Sequence, residues 1–169
     1  MLSEKMKEAL NTQINKELYS SSLYLSMAAW CESVNLSGFA NWMTIQAREE
    51  VSHTEKFFGY LNERGGRVLL QPIEGPPVEW GSVLEVFEQV LEHERLVTGL
   101  INGLVKLARS EDDYATEAFL QWFVSEQVEE EATASGVVEQ LKLAGGKGSG
   151  LFMLDREMGT RVFTPPAAE

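Results

Sequence analysis

A glutamate and a histidine, Glu50 and His53, stand three residues apart inside one long helical pattern. Residues at this spacing lie on the same face of an α-helix, so the two side chains point the same way. The mainly apolar face that they share also carries Phe39, Met43, Gln46, Phe57 and Tyr60. A carboxylate facing a protein core needs a cation, because burying it unpaired is costly. The pair therefore indicates a metal-binding position, and a core histidine satisfied by a nearby acid is the alternative interpretation.

Three further segments of about 28 to 30 residues repeat this apolar pattern in steps of four and three, each with an acid near its middle. Glu94 is the only polar group on its stripe. Helices of similar length that pack side by side bring their midpoints to one level. The pattern thus predicts that six polar side chains converge in the core: Glu17, Glu50, His53, Glu94, Gln127 and Glu130.

Bulk composition fits a single domain, since 169 residues with 44% hydrophobic content can bury a sizeable core. Asp and Glu number 26 against 14 Lys and Arg, a net charge of −12 that repels nucleic acid and anionic membrane and favours cations. The single cysteine, Cys31, excludes an internal disulfide and a multi-cysteine zinc site. No stretch resembles a secretory signal or the roughly 18 apolar residues of a membrane span, so we expect a cytoplasmic protein.

The elements that must position these residues are predicted to be four long helices. The first runs from about Ser3 to about Ser33, and residues 35–38 form the turn to an antiparallel second helix that ends at Gly65 and Gly66. Residues 67–81 contain three prolines and form a long crossover, which is long enough to make the third helix parallel to the second. Its apolar run 68–70 should lie against the helices.

The second half of the chain completes the bundle. The third helix should begin at the capping box 82–85 and end near Ser110, and the fourth should end at the glycine-rich hinge 145–150. Residues 151–158 form a short apolar helix for which oligomer contact is expected, and 164–169 form a frayed tail. We divide the chain into a bundle, 1–145, and a hinge, short helix and tail, 146–169.

Several stretches together resemble the bacterial non-haem ferritins: residues 13–21, 49–53, 119–127, the acidic run 129–131 and the glycine-rich hinge. The resemblance covers essentially the whole chain. It implies an all-α ferritin-like four-helix bundle with a long crossover between helices 2 and 3 and a short fifth C-terminal helix. It also implies a hollow homo-oligomeric shell of twenty-four copies with the fifth helix at the four-fold axes.

The ligand types suit iron, because carboxylates and one imidazole bind iron(II) and iron(III) and leave positions open for dioxygen. Four carboxylates match the charge of two ferrous ions. We assign Glu17, Glu50 and His53 to one iron, with Glu50 bridging to a second iron held by Glu94 and Glu130. The resemblance implies a ferroxidase that oxidises iron(II) with O2 or H2O2 and stores it as a ferric mineral.

The fourth helix departs from other di-iron bundles, because it offers Gln127-x-x-Glu130 where they carry Glu-x-x-His. This favours ferritin over bacterioferritin and rubrerythrin, and Gln127 would reach the second iron through its amide oxygen or a water. The resemblance implies that Tyr24 orients Glu94; an ordinary core tyrosine is the alternative. Trp122 is predicted to be a packing residue rather than an electron donor.

A third iron site is expected beside the pair, built from Glu49, Glu126 and Glu129 with Glu130 in contact with both. Glu49 is turned about 100° from the core stripe, and the resemblance places a third site at these positions. A solvated acidic face is the alternative. No haem is expected, because Val51 has no donor atom where bacterioferritins carry a methionine ligand.

Two rival functions use similar residues. A di-iron enzyme acting on peroxide or an organic substrate would need an electron-transfer site or a substrate pocket, and a purely structural bundle would leave the buried acids unexplained. His93 adjoins Glu94 but is predicted to point about 100° away, towards the outside of its helix, and to have no ligand role.

Overall fold

The computed structural model describes residues 1–165 and confirms an all-α architecture, with no strand among them. Four long helices and one short one follow in chain order: α1 Glu4–Ser33, α2 Ser37–Glu63, α3 Val83–Ser110, α4 Tyr114–Ala144 and α5 Gly148–Met158. None of the helices in this part of the chain is long and apolar enough to cross a membrane. Part of the predicted tail, 166–169, lies outside the described residues.

Three of the long helices begin at side-chain caps that the sequence makes recognisable. The side-chain oxygen of Ser3 accepts from the backbone N–H of Met6, and that of Ser82 accepts from the N–H of Glu85. Asp113 caps α4 in the same way by accepting from the N–H of Thr116. These bonds satisfy amides that would otherwise lack partners in the first turn, which fixes where each helix starts.

The crossover 64–82 runs along α1, because side chains of α1 hold its backbone at successive levels. Asn11 bonds the backbone of residues 67 and 69, and Asn15 bonds that of residues 71 and 72. Nearer the end of α1, Ser26 donates to the carbonyl of Pro77. The loop therefore travels from the start of α1 towards its end, and α3 begins parallel to α2 as predicted.

The predicted contact of the run 68–70 with the helices is correct only for its first residue. Val68 packs on the core, whereas Leu69 and Leu70 are 49% and 64% exposed. The hydrogen bonds to Asn11 and Asn15 fix the path of the loop, and this path leaves the two leucines facing outwards.

The hydrophobic core consists of two separate clusters with a polar layer between them. One cluster contains Tyr24, Phe39 and Phe87, and the other contains Leu10, Phe57 and Phe123. All four long helices contribute to both clusters, so each helix passes from one to the other. The buried acids of the four helices occupy the level between the clusters, as the midpoint argument predicts.

The start of α2 and the short fifth helix differ from the sequence-based expectation. α2 begins at Ser37, inside the predicted turn, and α5 begins at Gly148, inside the predicted hinge. Leu36 provides no side-chain cap for α2. Instead the Asp155 carboxylate of α5 accepts from the N–H groups of Gly38 and Phe39 at 2.9 and 3.0 Å. This cap comes from the far end of the chain.

Close packing of α5 on α2 requires a glycine at position 38, because a Cβ atom there would lie 1.6 Å from the carbonyl oxygen of Asp155. On the same short helix Leu154 and Met158 are buried in the core, while Phe152 and Met153 are 63% and 70% exposed. The short helix therefore packs part of its apolar surface inside the subunit and leaves Phe152 and Met153 outside it.

Candidate metal centre

All six side chains predicted to converge are buried, with exposed fractions between 1% and 7%. Each comes from the middle of its helix: one acid from α1, the Glu-x-x-His pair from α2, one acid from α3 and Gln127-x-x-Glu130 from α4. The apolar periodicity of each helix turns these residues inwards, and the similar helix lengths place them at one level.

Glu17, Glu50 and His53 form the tightest part of the centre, since one ligand atom from each lies within 4.8 Å of the others. His53 presents Nδ1 to both carboxylates, at 3.9 Å from Glu17 Oε2 and 3.5 Å from Glu50 Oε2. The imidazole packs edge-on against the rings of Trp122 and Phe123, which hold its orientation. In residues 1–165 no other group of three or more such side chains has ligand atoms this close.

The remaining two acids are held by hydrogen bonds from neighbouring helices. Glu94 accepts from the Tyr24 hydroxyl, on the oxygen Oε1, and from the Gln127 amide at 3.1 Å, on Oε2. Glu130 accepts at 3.0 Å from the amide of Gln46 on α2. These bonds orient both carboxylates within the polar layer.

Burial raises the pKa of all four carboxyl groups above the usual value for glutamate. Loss of solvation is the largest cause in each case, and the negative charge of neighbouring glutamates adds to it for Glu17, Glu50 and Glu130. The pKa of Glu130 rises to about 7, and those of Glu17 and Glu50 rise well above 4.5. Four acids in such a layer repel one another when ionised, and cations placed among them remove that repulsion.

Two buried oxygen atoms at this level have no hydrogen-bond partner among the described residues, Glu17 Oε2 and Gln46 Oε1. A buried acceptor without a partner costs about 1–3 kcal/mol. Glu17 Oε2 is the carboxylate oxygen that faces His53 Nδ1. Its lack of a donor fits a position where a metal ion takes the donor's place.

The amide nitrogen of Gln127, rather than its oxygen, points at Glu94. Its Nε2 donates to the Glu94 carboxylate and to the Glu94 backbone carbonyl, at 3.1 and 3.2 Å. Two acceptors around the amide nitrogen determine which way the amide faces. Gln127 is thus placed to orient Glu94, as Tyr24 is from the other side.

Sequence reasoning missed two glutamines that bind the acids directly. Gln13 donates to Glu17 at 2.7 Å, and Gln46 donates to Glu130 and, at 3.4 Å, to Glu50. Both lie four residues before an acid of their own helix. This Gln-x-x-x-Glu spacing places an amide beside a carboxylate one turn later and was the signal available in the sequence.

The acids assigned to a third site are less buried, and one of them already has a cationic partner. Glu49 Oε2 lies 2.5 Å from the guanidinium of Arg161, which also stacks over the Trp42 ring at 4.3 Å. Burial raises the pKa of Glu49, and Arg161 acts against that rise. Glu126 is half-buried and Glu129 is exposed.

His93 is half-buried, because α1 packs on that face of α3. Its Nε2 lies 2.8 Å from Ser20 Oγ, and its ring packs against Tyr19 and Tyr24. Burial lowers the pKa of His93 to about 4, so the ring is neutral.

Comparisons with known proteins match most of this chain. The family model for the ferritin-like domain matches residues 7–144. The chain is 48% identical over 161 residues to the bacterial non-heme ferritin of Bacteroides fragilis strain 638R, covering 95% of this chain and all of that protein. It is 42% identical to the bacterial non-heme ferritin of Escherichia coli O6:H1, covering 95% of this chain and 97% of that one.

A solved structure of an open-pore ferritin from Archaeoglobus fulgidus is similar as well. It has 53% sequence identity and a TM-score of 0.95, and the match covers 96% of this chain and all of that one. The family model matches most of the chain, and the curated relatives match it nearly from end to end. The chain therefore belongs to the ferritin family.

Proposed function

We propose that this protein stores iron, and that it oxidises iron(II) at the buried centre before depositing it as a ferric mineral inside a hollow shell. The observation that carries the proposal is the close group of Glu17, Glu50 and His53, with a carboxylate oxygen that has no donor. Oxygen-rich ligands with one imidazole suit iron.

Iron(II) is the substrate, and two ions would give up one electron each to dioxygen or hydrogen peroxide. Glu17, Glu50 and His53 would hold the first ion, and Glu94 and Glu130 the second, with Glu50 shared. The four carboxylates would then balance the charge of two iron(II) ions without any other cation. Because ligands bind metal only when deprotonated, filling the centre would release the protons that burial retains.

An anaerobic iron(II) titration followed by exposure to air tests this proposal. We expect two tight iron(II) ions per chain in the parent and loss of both tight binding and fast oxidation in Glu50→Ala. Glu55→Ala is the matched control, because Glu55 lies on the same helix but is exposed. A Glu50→Ala protein that binds and oxidises iron as fast as the parent would show that the ligand assignment is wrong.

A third iron site next to the pair is part of the proposal, formed by Glu49, Glu126 and Glu129 with Glu130. Glu126 is among the groups that raise the pKa of Glu49, and Glu49 among those that raise the pKa of Glu130, so their charges interact. This site would be weaker than the pair because it is wetter and has no histidine. It would serve iron in transit.

The centre would work without haem, since the half-exposed Val51 offers no donor atom. A stoichiometric Soret band in protein purified from haem-replete cells would contradict this part of the proposal. Dioxygen and hydrogen peroxide can be compared directly by adding each to protein loaded anaerobically with two equivalents of iron(II).

We also propose that twenty-four copies form the shell, with α5 at its four-fold axes. The exposed Phe152 and Met153 support subunit contact through this helix. The ferritin of Archaeoglobus fulgidus is described as open-pored, and a closed form of it was engineered by site-directed mutagenesis. Particle mass measured together with electron microscopy would establish both the number of copies and the shape of the shell.

A further inference from the structure

Gln46 is a polar side chain of the centre to which the assignment of ligands gives no role. It lies on α2, one turn before Glu50, and is completely buried. Its amide nitrogen donates to Glu130 Oε2 at 3.0 Å and to Glu50 Oε1 at 3.4 Å. One neutral donor thus joins two carboxylates that belong to different helices.

The two acids determine the orientation of this amide, although its own oxygen is left without a hydrogen-bond donor. Gln46 Oε1 is buried without a hydrogen-bond partner, which is a cost to the fold. Rotating the amide by 180° would place Oε1 against two carboxylate oxygens and leave the acids without a donor. The observed orientation therefore gives both carboxylates a hydrogen-bond donor and leaves the glutamine oxygen without one.

The position of this bond across the bundle explains why it matters. No Cα atom of α2 lies within 8 Å of a Cα atom of α4, although both helices are described throughout. Other hydrogen bonds across this gap lie near the end of α2. They join Tyr60 and Arg64 with Thr116 and Asp113. At the level of the centre, the Gln46 amide connects α2 to Glu130.

We propose that Gln46 is a positioning residue that ties the Glu130 carboxylate of α4 to the Glu50 carboxylate of α2 and so forms the second metal position. The inference rests on the proposed metal centre. An uncharged donor suits the task, because a lysine or arginine at this place would compete with the metal for both carboxylates. At the first position Gln13 donates to Glu17, an acid of its own helix.

Binding of Co²⁺ to the metal-free assembled protein tests this role without relying on iron oxidation. We expect two tightly bound Co²⁺ per chain in the parent. In Gln46→Met the first should bind as before and the second about 10–100-fold more weakly, the usual effect of removing a partner that orients a ligand. The visible absorption band that the second equivalent adds in the parent should change in the same variant.

Three further variants make the result decisive. Gln46→Asn keeps the amide but is one methylene too short to reach Glu130, so it should weaken the second ion as Gln46→Met does. Gln13→Met should weaken the first ion instead, and Gln121→Met, on the exposed face of α4, should change neither. Helical circular dichroism and particle mass establish that each variant is folded and assembled.

A second Co²⁺ that binds Gln46→Met or Gln46→Asn as tightly as the parent would overturn the role of Gln46. A parent that binds fewer than two ions would instead contradict the metal centre on which the inference depends. The two failures are therefore distinguishable in one set of titrations.

Discussion

At the scale of single side chains, the buried acids make the metal-free protein sensitive to pH. Burial raises the pKa of Glu130 to about 7 and those of Glu17 and Glu50 well above 4.5, so the folded state binds protons that the unfolded state has lost. The contribution of these protonated acids to folding stability is fully present below about pH 4.5. It is lost as the pH rises through the folded-state pKa values. Metal ions would reverse the effect by replacing the protons.

We predict that the melting temperature of the metal-free protein falls between about pH 5 and pH 7, with a change in unfolding free energy of a few kcal/mol. Glu130→Gln should reduce this dependence, because it removes the acid whose pKa is raised to about 7. Comparing the parent with this variant by calorimetry separates the effect from the general repulsion of a chain with net charge −12. A parent whose stability rises across this range would contradict the prediction.

Arg161 gives a second prediction at this scale, because its guanidinium forms an ion pair with the Glu49 carboxylate of the proposed third site. Replacing it with a neutral residue removes a cation that competes with iron. We expect Arg161→Gln to bind the third equivalent of metal several-fold more tightly, up to about tenfold, as for partly buried ion pairs. The two tighter equivalents should be unchanged.

Arg156→Gln is the matched control, since Arg156 lies on α5 and is exposed. Isothermal titration under anaerobic conditions measures the third equivalent in both variants and in the parent. Equal affinity in all three would mean that Arg161 does not compete for this position.

At the scale of helices, periodicity predicts which faces turn inwards but not which residue of another helix completes each contact. The inward acids of all four helices follow from one stripe per helix. The Asp155 cap on α2 does not, because 117 residues separate Asp155 from Gly38 and neither local sequence shows the bond. The bond from Gln46 to Glu130 was not predictable for the same reason, because the two residues lie on different helices. Only the local Gln-x-x-x-Glu spacing was visible in the sequence.

The Asp155 cap leads to a prediction about α5. Asp155→Ala removes the acceptor of two α2 amides, and loss of such a cap costs about 1 kcal/mol. We expect a lower melting temperature than in Glu157→Ala, which changes an exposed acid of the same helix. Removing residues from Gly150 onwards should lower stability further, because it also exposes the core contacts of Leu154 and Met158. Equal melting temperatures for the two point variants would exclude the capping role.

At the scale of the whole molecule, α5 uses one face inside the subunit and leaves another free. We predict that Phe152→Ser combined with Met153→Ser yields smaller particles, because both side chains are exposed in the subunit and apolar. Helix content should stay the same, since neither residue supports the bundle core. Light scattering across protein concentrations measures this outcome, and full-size particles in the variant would place the subunit contacts elsewhere.

The polar layer between the two hydrophobic clusters also affects how cooperatively the bundle opens. Each long helix is anchored near both ends by apolar packing, whereas its middle turn passes through mutually repelling acids. Without metal, deuterium should therefore enter the central amides of the four helices sooner than those of the flanking turns, the reverse of ordinary fraying from helix ends. Bound cations would join the two halves into one cooperative unit and slow exchange most at the centre.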